Sequence, residues 1–306
     1  MIIVPGSVNA DLLFKVARLP RPGETVLCPG YVMAPGGKGA NQAAAAAKAG
    51  ADVRFVGHVG DDAYGSVLRG LLQDAGVGCE LLAVSRRPTA IAVIGVDEAG
   101  ENAIIVGSGA NLDTAAHQIP DALLGPGTTV LCQNEIRREE TFAALVRAKA
   151  RGARTVLNMA PAGPVPAEVL RALDVLVVNE LEAEIVAGAP GEGPEAAARL
   201  LAGRHGLACI VTLGGAGCLA VARAEAWRVP VLPIRPVDTT GAGDAFVGAL
   251  AAWLDGGAPL LDALRAASVA AACTCEAVGA QTAQPRRAVI EARLPDLPPA
   301  TALGSV

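Results

Sequence analysis

The nine residues from Asp238 to Phe246, DTTGAGDAF, combine glycines, hydroxyl groups and two carboxylates in one short stretch. Gly241 and Gly243 lack a Cβ atom, so the backbone can turn sharply there and approach a ligand closely. The apolar run that follows, AFVGALAAWL, predicts a helix. Because the first turn of a helix presents unpaired N–H groups and the positive end of the helix dipole, this stretch predicts an anion site.

Asp244 stands beside that predicted anion site. A carboxylate next to an anion is electrostatically unfavourable unless it has a function. Accepting the proton of a substrate hydroxyl during phosphoryl transfer is such a function, because the adjacent N–H groups stabilise the transferring phosphoryl group. A tight strand-to-helix turn with a capping aspartate would have the same sequence, so the interpretation needs support from the rest of the chain.

The composition argues against several classes of protein. The 306 residues carry a net charge of −5 and only 3% aromatic residues, which disfavours a nucleic-acid-binding surface. The seven cysteines are scattered and contain no CxxC pair, so we expect neither a disulfide framework nor a zinc site. No uncharged run reaches the ~18 residues that a membrane span requires. These features favour a cytoplasmic enzyme with small-molecule partners, and neither a nucleic acid nor a membrane as partner.

Short apolar strands alternate with helices from Thr128 to Leu213, which predicts a parallel sheet covered by helices on both faces. In such sheets, ligands bind beyond the carboxyl ends of the strands. Polar or glycine residues follow the predicted strands at these ends: Glu135, Asn158, Asn179 with Glu182, and Thr212 with Gly214 and Gly217. Each would be a cap or turn residue by itself, but together they are candidates for the rim of a site.

The segments 9–36 and 88–108 predict a small β-sheet lid, because they place Pro and Gly around short apolar strands. Asn9 and Asp11 would lie on the same face of an extended strand, where they could bind a polyol. The alternative for this pair is an Asx turn with a surface aspartate.

The sequence GGKGANQA superficially suggests a phosphate-binding Walker A loop, but it does not match that motif. Val32 occupies the position of the first glycine, and Gly39 replaces the Ser or Thr that would bind magnesium. We expect these glycines to bring the backbone, with the side chains of Lys38 and Asn41, against a compact ligand. The Ala-rich segment from about Ala40 predicts a helix.

Two other segments have structural interpretations. Asp61 and Asp62 predict an acidic helix cap rather than a pair of metal ligands. The tail from Pro285, which contains PDLPPA, predicts a loosely packed terminus.

Seven motifs occur in the order GGKGANQA, GDDAYG, GENAIIVGSGAN, NMAPA, NELE, TLGGAG and DTTGAGDAF. With Asn9 at one end and Gly279 at the other, the chain resembles the ribokinases of the PfkB family of carbohydrate kinases. The resemblance implies a single domain over 1–306, with a three-layer α/β/α fold, a central mostly parallel sheet and a small β-sheet lid. It also implies transfer of the γ-phosphoryl group of ATP to a sugar hydroxyl, most simply that of D-ribose, with Mg²⁺, activation by K⁺ and a homodimer formed through the lid.

The resemblance assigns roles to individual residues. Asp244 matches the catalytic base, and the anion hole matches Gly241, Ala242 and Gly243. The sugar-contacting positions are Asn9, Asp11, Gly37, Lys38, Gly39, Asn41, Glu135 and Asp244. The nucleotide-contacting positions are Asn179, Thr212, Leu213, Gly214, Gly215, Gly217, Gly243 and Ser268. Glu182 matches the acidic residue that binds Mg²⁺ through water. The monovalent-cation loops match Asp238, Thr240, Thr274, Ala277, Gly279 and Ala283, where Ala283 replaces a serine that is typical of ribokinases.

Three alternatives stay open at this point. The first is a kinase of the same family that acts on a nucleoside, a fructose-type hexose or a modified sugar. The second is a dinucleotide-dependent oxidoreductase, which is disfavoured because PGSVNAD lacks the GxGxxG that should follow the first strand. The third is a sugar-binding sensor without catalysis, which is disfavoured because Asp244 and the GAG sequence are both present.

Overall fold

A computed structural model describes residues 1–223 and 225–304. Its strands, in chain order, are β1 Ile2–Pro5, β2 Asn9–Lys15, β3 Tyr31–Gly36, β4 Val53–Gly60, β5 Val77–Ser85, β6 Ala90–Val96, β7 Asn102–Gly107, β8 Thr129–Cys132, β9 Arg154–Asn158, β10 Val175–Asn179, β11 Ala208–Thr212, β12 Cys218–Ala222, β13 Glu225–Val229 and β14 Thr301–Leu303. The α-helices are α1 Lys38–Lys48, α2 Ala63–Asp74, α3 Arg138–Ala150, α4 Ala167–Arg171, α5 Glu180–Ala187, α6 Pro194–His205, α7 Ala242–Asp255, α8 Leu260–Thr274 and α9 Arg287–Arg293.

The large sheet has the strand order β14-β13-β12-β11-β10-β9-β8-β1-β4-β5. Neighbouring strands are parallel from β5 through β11, and β12, β13 and β14 extend the sheet in antiparallel fashion. Two apolar cores cover its faces: Ile2 belongs to the core with α1, α2, α7 and α8, and Ile3 belongs to the core with α3 to α6. The predicted α/β/α layering is therefore confirmed.

A separate four-stranded sheet has the order β3-β2-β6-β7. Its strands lie in the two segments from which the sequence predicts the lid, and β6 and β7 form an antiparallel hairpin. Whether this sheet moves as a lid, and whether the chain is one domain, stay predictions.

The acidic cap is confirmed at Asp62, which is the N-cap of α2 and accepts a hydrogen bond from the Gly65 N–H at 2.8 Å. The prediction of a loosely packed tail is wrong. Residues after Pro285 form α9 and β14, which pairs antiparallel with β13. Ile290 and Leu297 are buried, and Arg287 stacks on the ring of Trp253. The Pro-rich composition of the tail concealed these long-range contacts.

Helices α1 and α7 approach each other closely at Gly248. A Cβ atom on Gly248 would lie 2.5 Å from the Cβ of Ala45 and 2.6 Å from the carbonyl oxygen of Gln42. Only a residue without a side chain permits this distance, and α1 is rich in alanine for the same reason. The small residues therefore determine how near the two helices come.

We expect Gly248→Ala to force α1 and α7 apart and to lower the free energy of unfolding by about 1–3 kcal/mol, the usual cost of overpacking. Gly70→Ala in α2 is the matched control, because a Cβ atom there would meet no atom within 4 Å. Alanine is the better helix former by roughly 0.5–1 kcal/mol, so the control should be neutral or stabilising. Urea unfolding of both variants measures this, and equal stabilities would contradict the close packing.

Candidate active site

Asp244 lies in the first turn of α7, where it is buried against α1. Its Oδ2 accepts a hydrogen bond from Asn41 Nδ2 at 2.9 Å, and its Oδ1 accepts one from Gln42 Nε2 at 2.9 Å. Burial raises the pKa of Asp244 above its ordinary value, while the charge of Lys38 and the two amides oppose that increase. The carboxylate is thus positioned by two donors and has the raised proton affinity that a general base requires.

The glycine turn before Asp244 forms the start of α7 as predicted. Gly241 is the N-cap with φ = 75°, and a Cβ atom there would lie 2.7 Å from the Cα of Ala280. Gly243 is exposed, and the N–H of Ala242 donates to the Thr239 carbonyl at 3.2 Å. Because first-turn N–H groups have no intrahelical acceptor, this end of α7 can bind an anion next to Asp244.

The start of α1 packs directly on the loop after β1. Glu135 Oε2 accepts hydrogen bonds from the hydroxyl of Ser7 at 2.7 Å and from the N–H of Lys38 at 2.9 Å. Gly37 has φ = 87°, and a Cβ atom on Gly39 would lie 2.5 Å from the Ser7 nitrogen. These glycines therefore permit the close backbone packing that brings Glu135 and Lys38 together.

Asn9 and Asp11 lie on β2, as predicted. The side-chain oxygen of Asn9 accepts a hydrogen bond from Asn111 Nδ2 at 2.7 Å. Asp11 Oδ1 is buried without a hydrogen-bond partner. Burial, together with the charges of Glu135 and Asp244, raises the pKa of Asp11 to about 7. The pocket therefore brings three carboxylates close enough to influence one another, and Asp11 still has an acceptor available for a ligand hydroxyl.

Most of the candidate nucleotide residues lie at the ends of β10 and β11 or directly after them. Asn179 and Glu182 form a capping box at the start of α5, in which Glu182 Oε2 accepts from the Asn179 N–H at 2.8 Å. Burial raises the pKa of Glu182, and the Asn179 N–H and the charge of Lys38 oppose this increase. The positive charge of Lys38 thus lowers the pKa of both Glu182 and Asp244.

The glycine loop after β11 also has a structural requirement. Gly214 and Gly217 both have positive φ, and a Cβ atom on Gly217 would lie 2.1 Å from the Val229 carbonyl oxygen. Thr212, Leu213 and Gly215 belong to the same turn, which contains one turn of 3₁₀-helix. Nucleotide binding by this loop stays a prediction.

Two of the candidate residues are buried and hydrogen-bonded to other parts of the protein. Ser268 is buried in α8, and its hydroxyl donates to the Pro230 carbonyl at 2.6 Å, so its role as a nucleotide contact stays a prediction. Asn158 is not on the rim of the site as expected. It is buried, accepts from Gln42 Nε2 at 2.9 Å and donates to the Val177 carbonyl at 3.0 Å.

The candidate monovalent-cation loops lie next to the start of α7. Asp238 Oδ1 accepts from the N–H and hydroxyl of Thr240, and its Oδ2 accepts from the Gly279 N–H at 3.0 Å. Burial by itself would raise the pKa of Asp238, but these hydrogen bonds lower it by more. The pKa of Asp238 is therefore below its ordinary value. The carboxylate therefore joins the two loops. The other candidates on them are Thr274, whose hydroxyl donates to the Ala270 carbonyl, Ala277 and Ala283.

The comparisons with known proteins agree with this geometry. A family model described as pfkB family carbohydrate kinase matches residues 1–287. The chain belongs to the pfkB family of carbohydrate kinases. Among the relatives in this family, Bacillus subtilis ribokinase is 36% identical over 293 residues, which cover 95% of this chain and 98% of the relative. Salmonella typhi deoxyribokinase is 32% identical over 303 residues, which cover 93% and 95%.

Solved structures of family members have the same fold. Thermotoga maritima ribokinase gives a TM-score of 0.88 at 34% identity, covering 96% of this chain and 99% of that chain. Arabidopsis thaliana ribokinase, complexed with ribose and ATP, gives a TM-score of 0.85 at 32% identity, covering 96% and 98%.

Several residues that build the site are not among those predicted from the sequence. Ser7, Gln42 and Asn111 lie inside or next to the motifs PGSVNAD, GGKGANQA and GSGAN. Gln133 and Gln281 carry no comparable signal. Their side chains donate hydrogen bonds to the side-chain amides of Gln42 and Asn41 in α1, which are far away in the sequence.

Asp11 should make the free energy of unfolding pH-dependent. Its pKa of about 7 in the folded protein exceeds the ordinary value of 3.8. The unfolded chain therefore loses this proton first, and the contribution of Asp11 to stability is lost as the pH rises through about 7.

We therefore expect Asp11→Asn to be more stable than the wild type at pH 8, with a difference that shrinks toward pH 4. Urea unfolding across this range, without ligand, measures the difference. Asp61→Asn is the control, since Asp61 is exposed at the surface before α2. A pH-independent difference for Asp11→Asn would contradict the raised pKa.

Proposed function

We propose that this protein is an ATP-dependent sugar kinase that transfers the γ-phosphoryl group of ATP to D-ribose, forming D-ribose 5-phosphate and ADP. The observation that carries the proposal is the buried carboxylate of Asp244 in the first turn of α7, beside N–H groups that can stabilise a phosphoryl group. Family membership and the similarity to proteins named ribokinase support D-ribose as the acceptor.

In the proposed reaction, Asp244 accepts the proton of the sugar hydroxyl while the hydroxyl oxygen bonds to the γ-phosphorus. The bond between that phosphorus and the bridging oxygen of ADP breaks, and ADP leaves with its electron pair. The N–H groups of Gly241 and Gly243 stabilise the charge on the phosphoryl oxygens, and the Ala242 N–H would join them by exchanging the Thr239 carbonyl for a phosphoryl oxygen. Lys38 lies near enough to Asp244 and Glu182 to balance charge along the same path.

The sugar would bind between the small sheet and the start of α1. Asn9 and Asp11 present polar groups from β2, Asn41 presents one from α1, and Glu135 presents one from the segment after β8. Asp11 accepts hydroxyl hydrogen bonds best when it is ionised, because charge-assisted hydrogen bonds are the stronger ones. Gly37, Lys38 and Gly39 complete this part of the proposed sugar site.

ATP would bind along the loops after β10 and β11, at Asn179, at Thr212 to Gly215 and at Gly217. Glu182 fits a role in holding Mg²⁺ through water, because the described hydrogen bond uses only its Oε2 and carboxylate oxygen is a hard ligand. The described residues contain no cluster of three His, Cys, Asp or Glu side chains that could form an all-protein metal cage. Mg²⁺, when bound, would neutralise charge on the phosphates.

A second substrate, 2-deoxy-D-ribose, is suggested by the relative named deoxyribokinase. Coupled ADP-release rates with D-ribose, 2-deoxy-D-ribose, D-fructose and a ribonucleoside separate the candidates. The proposal requires the highest kcat/KM with D-ribose. A higher value with another acceptor would reassign the substrate within the family, and sugar binding without any turnover would indicate a sensor.

We also propose a homodimer formed through the small sheet. Its edge strand β7 exposes Ile104, Ile105 and Val106, each by more than half. An apolar edge strand is a template for pairing with another chain. Sedimentation velocity distinguishes a dimer from a monomer.

A cytoplasmic location belongs to the same proposal. The seven cysteines, all within the described residues, are free, and unpaired thiols are typical of reducing compartments. Among the described residues, no helix has both the length and the apolar character needed to cross a membrane.

Asp244→Asn should lower kcat by about 10²- to 10⁴-fold, since a positioned general base typically contributes that much. D-ribose should still bind, because the anion site and the sugar residues remain. Asp262→Asn is the matched control: Asp262 is also an acidic residue in a first helical turn, but it is exposed on α8. A near-wild-type kcat in Asp244→Asn would contradict the assignment of the base.

Potassium should activate the enzyme, and Ala283→Ser should lower the potassium concentration needed for half-maximal activation. A monovalent cation between the two loops needs oxygen ligands, and Ala283 offers no side-chain oxygen where ribokinases typically have a serine. Because the cation would hold the loop against Gly241, it should act mainly on kcat. Initial rates against KCl, with NaCl holding ionic strength constant, measure this. A flat response in the wild type would contradict the site.

A further inference from the structure

Each of the two amides that donate to Asp244 is itself held by a buried glutamine. Gln281 Nε2 donates to Asn41 Oδ1 at 2.9 Å, and Gln133 Nε2 donates to Gln42 Oε1 at 2.7 Å. All four amide-bearing residues are buried. Each oxygen of the Asp244 carboxylate therefore accepts a hydrogen bond from one of two linked pairs of amides.

The direction in which an amide points matters at a carboxylate. An asparagine side chain can turn by half a rotation about its last bond and exchange its oxygen and NH₂ group with little change in shape. Only the NH₂ end stabilises the Asp244 carboxylate, and the oxygen end would repel it. The second partner of the amide decides which end faces the carboxylate.

Asn41 depends on this second partner more than Gln42 does. The NH₂ group of Gln42 donates to Asn158 as well as to Asp244. Asn158 would therefore still orient the Gln42 amide if the hydrogen bond from Gln133 were lost. The described side-chain hydrogen bonds of Asn41 are only those with Asp244 and Gln281.

We propose that Gln281 is a positioning residue for the base: by donating to the oxygen of Asn41, it turns the NH₂ group of Asn41 toward Asp244. This inference rests on the proposed kinase function. Gln281 lies in the loop after α8. In the same loop, Ala280 packs against Gly241, and the main-chain carbonyl of Gln281 accepts a hydrogen bond from Lys48 Nζ. The loop that shapes the start of α7 thus also orients the amide that holds the base.

The test is the pH dependence of kcat for Gln281→Met, which keeps the size of the side chain but cannot donate. Gln284→Met is the matched control, because Gln284 is equally buried in the same loop but donates to the backbone carbonyl of Asn41. Measurements use saturating D-ribose and potassium, since the titration of Asp11 would affect kcat/KM.

The other charged groups that act on Asp244 are Lys38 from α1, Glu135 after β8 and Asp11 from β2, and none of them is altered. In Gln281→Met, the acidic midpoint of kcat should rise by about one pH unit, so that kcat below the midpoint falls about tenfold. In Gln284→Met, the midpoint should stay in place. A loop that is merely disturbed would instead lower kcat equally at all pH values.

A double-mutant cycle completes the test. In an Asn41→Ala background, Gln281→Met should move the midpoint no further. The proposal is wrong if Gln281→Met leaves the midpoint unchanged, if Gln284→Met moves it equally, or if the shift persists without the Asn41 amide. If Gln281→Met does not fold, Gln281→Leu replaces it, because leucine also cannot donate and adds no charge. A raised midpoint is again expected, and an unchanged one would contradict the proposal.

A carbon-13 NMR titration of the Asp244 carboxyl group separates this inference from the proposed function, because it requires no turnover. A raised Asp244 pKa in Gln281→Met, and an unchanged one in Gln284→Met, would support the role of Gln281. An unchanged pKa in Gln281→Met would overturn it. Absence of ADP release by the wild type with D-ribose would contradict the kinase proposal alone.

Discussion

The contact between the start of α1 and the start of α7 is the constraint on which the site depends. Gly248 lets the two helices approach until the Gln42 carbonyl and Ala45 fill the space of a missing side chain. At that separation, Asn41 and Gln42 reach the buried Asp244 carboxylate. A buried charge without such donors would be costly. The ionised form of Asp244 therefore depends on the close packing of the two helices.

Electrostatics in the pocket are unfavourable in the absence of ligand. Asp11, Glu135 and Asp244 influence one another, and Lys38 supplies a compensating positive charge. Asp11 also has a buried oxygen without a donor. Sugar hydroxyl groups would provide the missing donors. The burial of Asp11 near two other carboxylates would therefore lower the stability of the fold but favour the binding of a sugar. Such a conflict between stability and function is common at active sites.

The loop from 276 to 284 connects parts of the site that are distant in the sequence. Gly279 binds the carboxylate of Asp238, Ala280 limits the turn at Gly241, and Gln281 reaches Asn41. A shift of this loop would therefore reach both the anion site and the base. Through these contacts, a loop without a catalytic side chain could affect the proposed phosphoryl transfer.

The sequence by itself determined the layered fold, and it predicted Asp244 as the base together with most of the candidate site residues. Buried parallel strands must be apolar, and strands joined by helices lie near one another, so local patterns were sufficient for the alternation from Thr128 to Leu213. Only the tertiary structure decided the pairing of β14 with β13, the raised pKa of Asp11 and the hydrogen bond from Gln281 to Asn41. Each depends on groups brought together from distant parts of the chain, and no local pattern encodes such contacts.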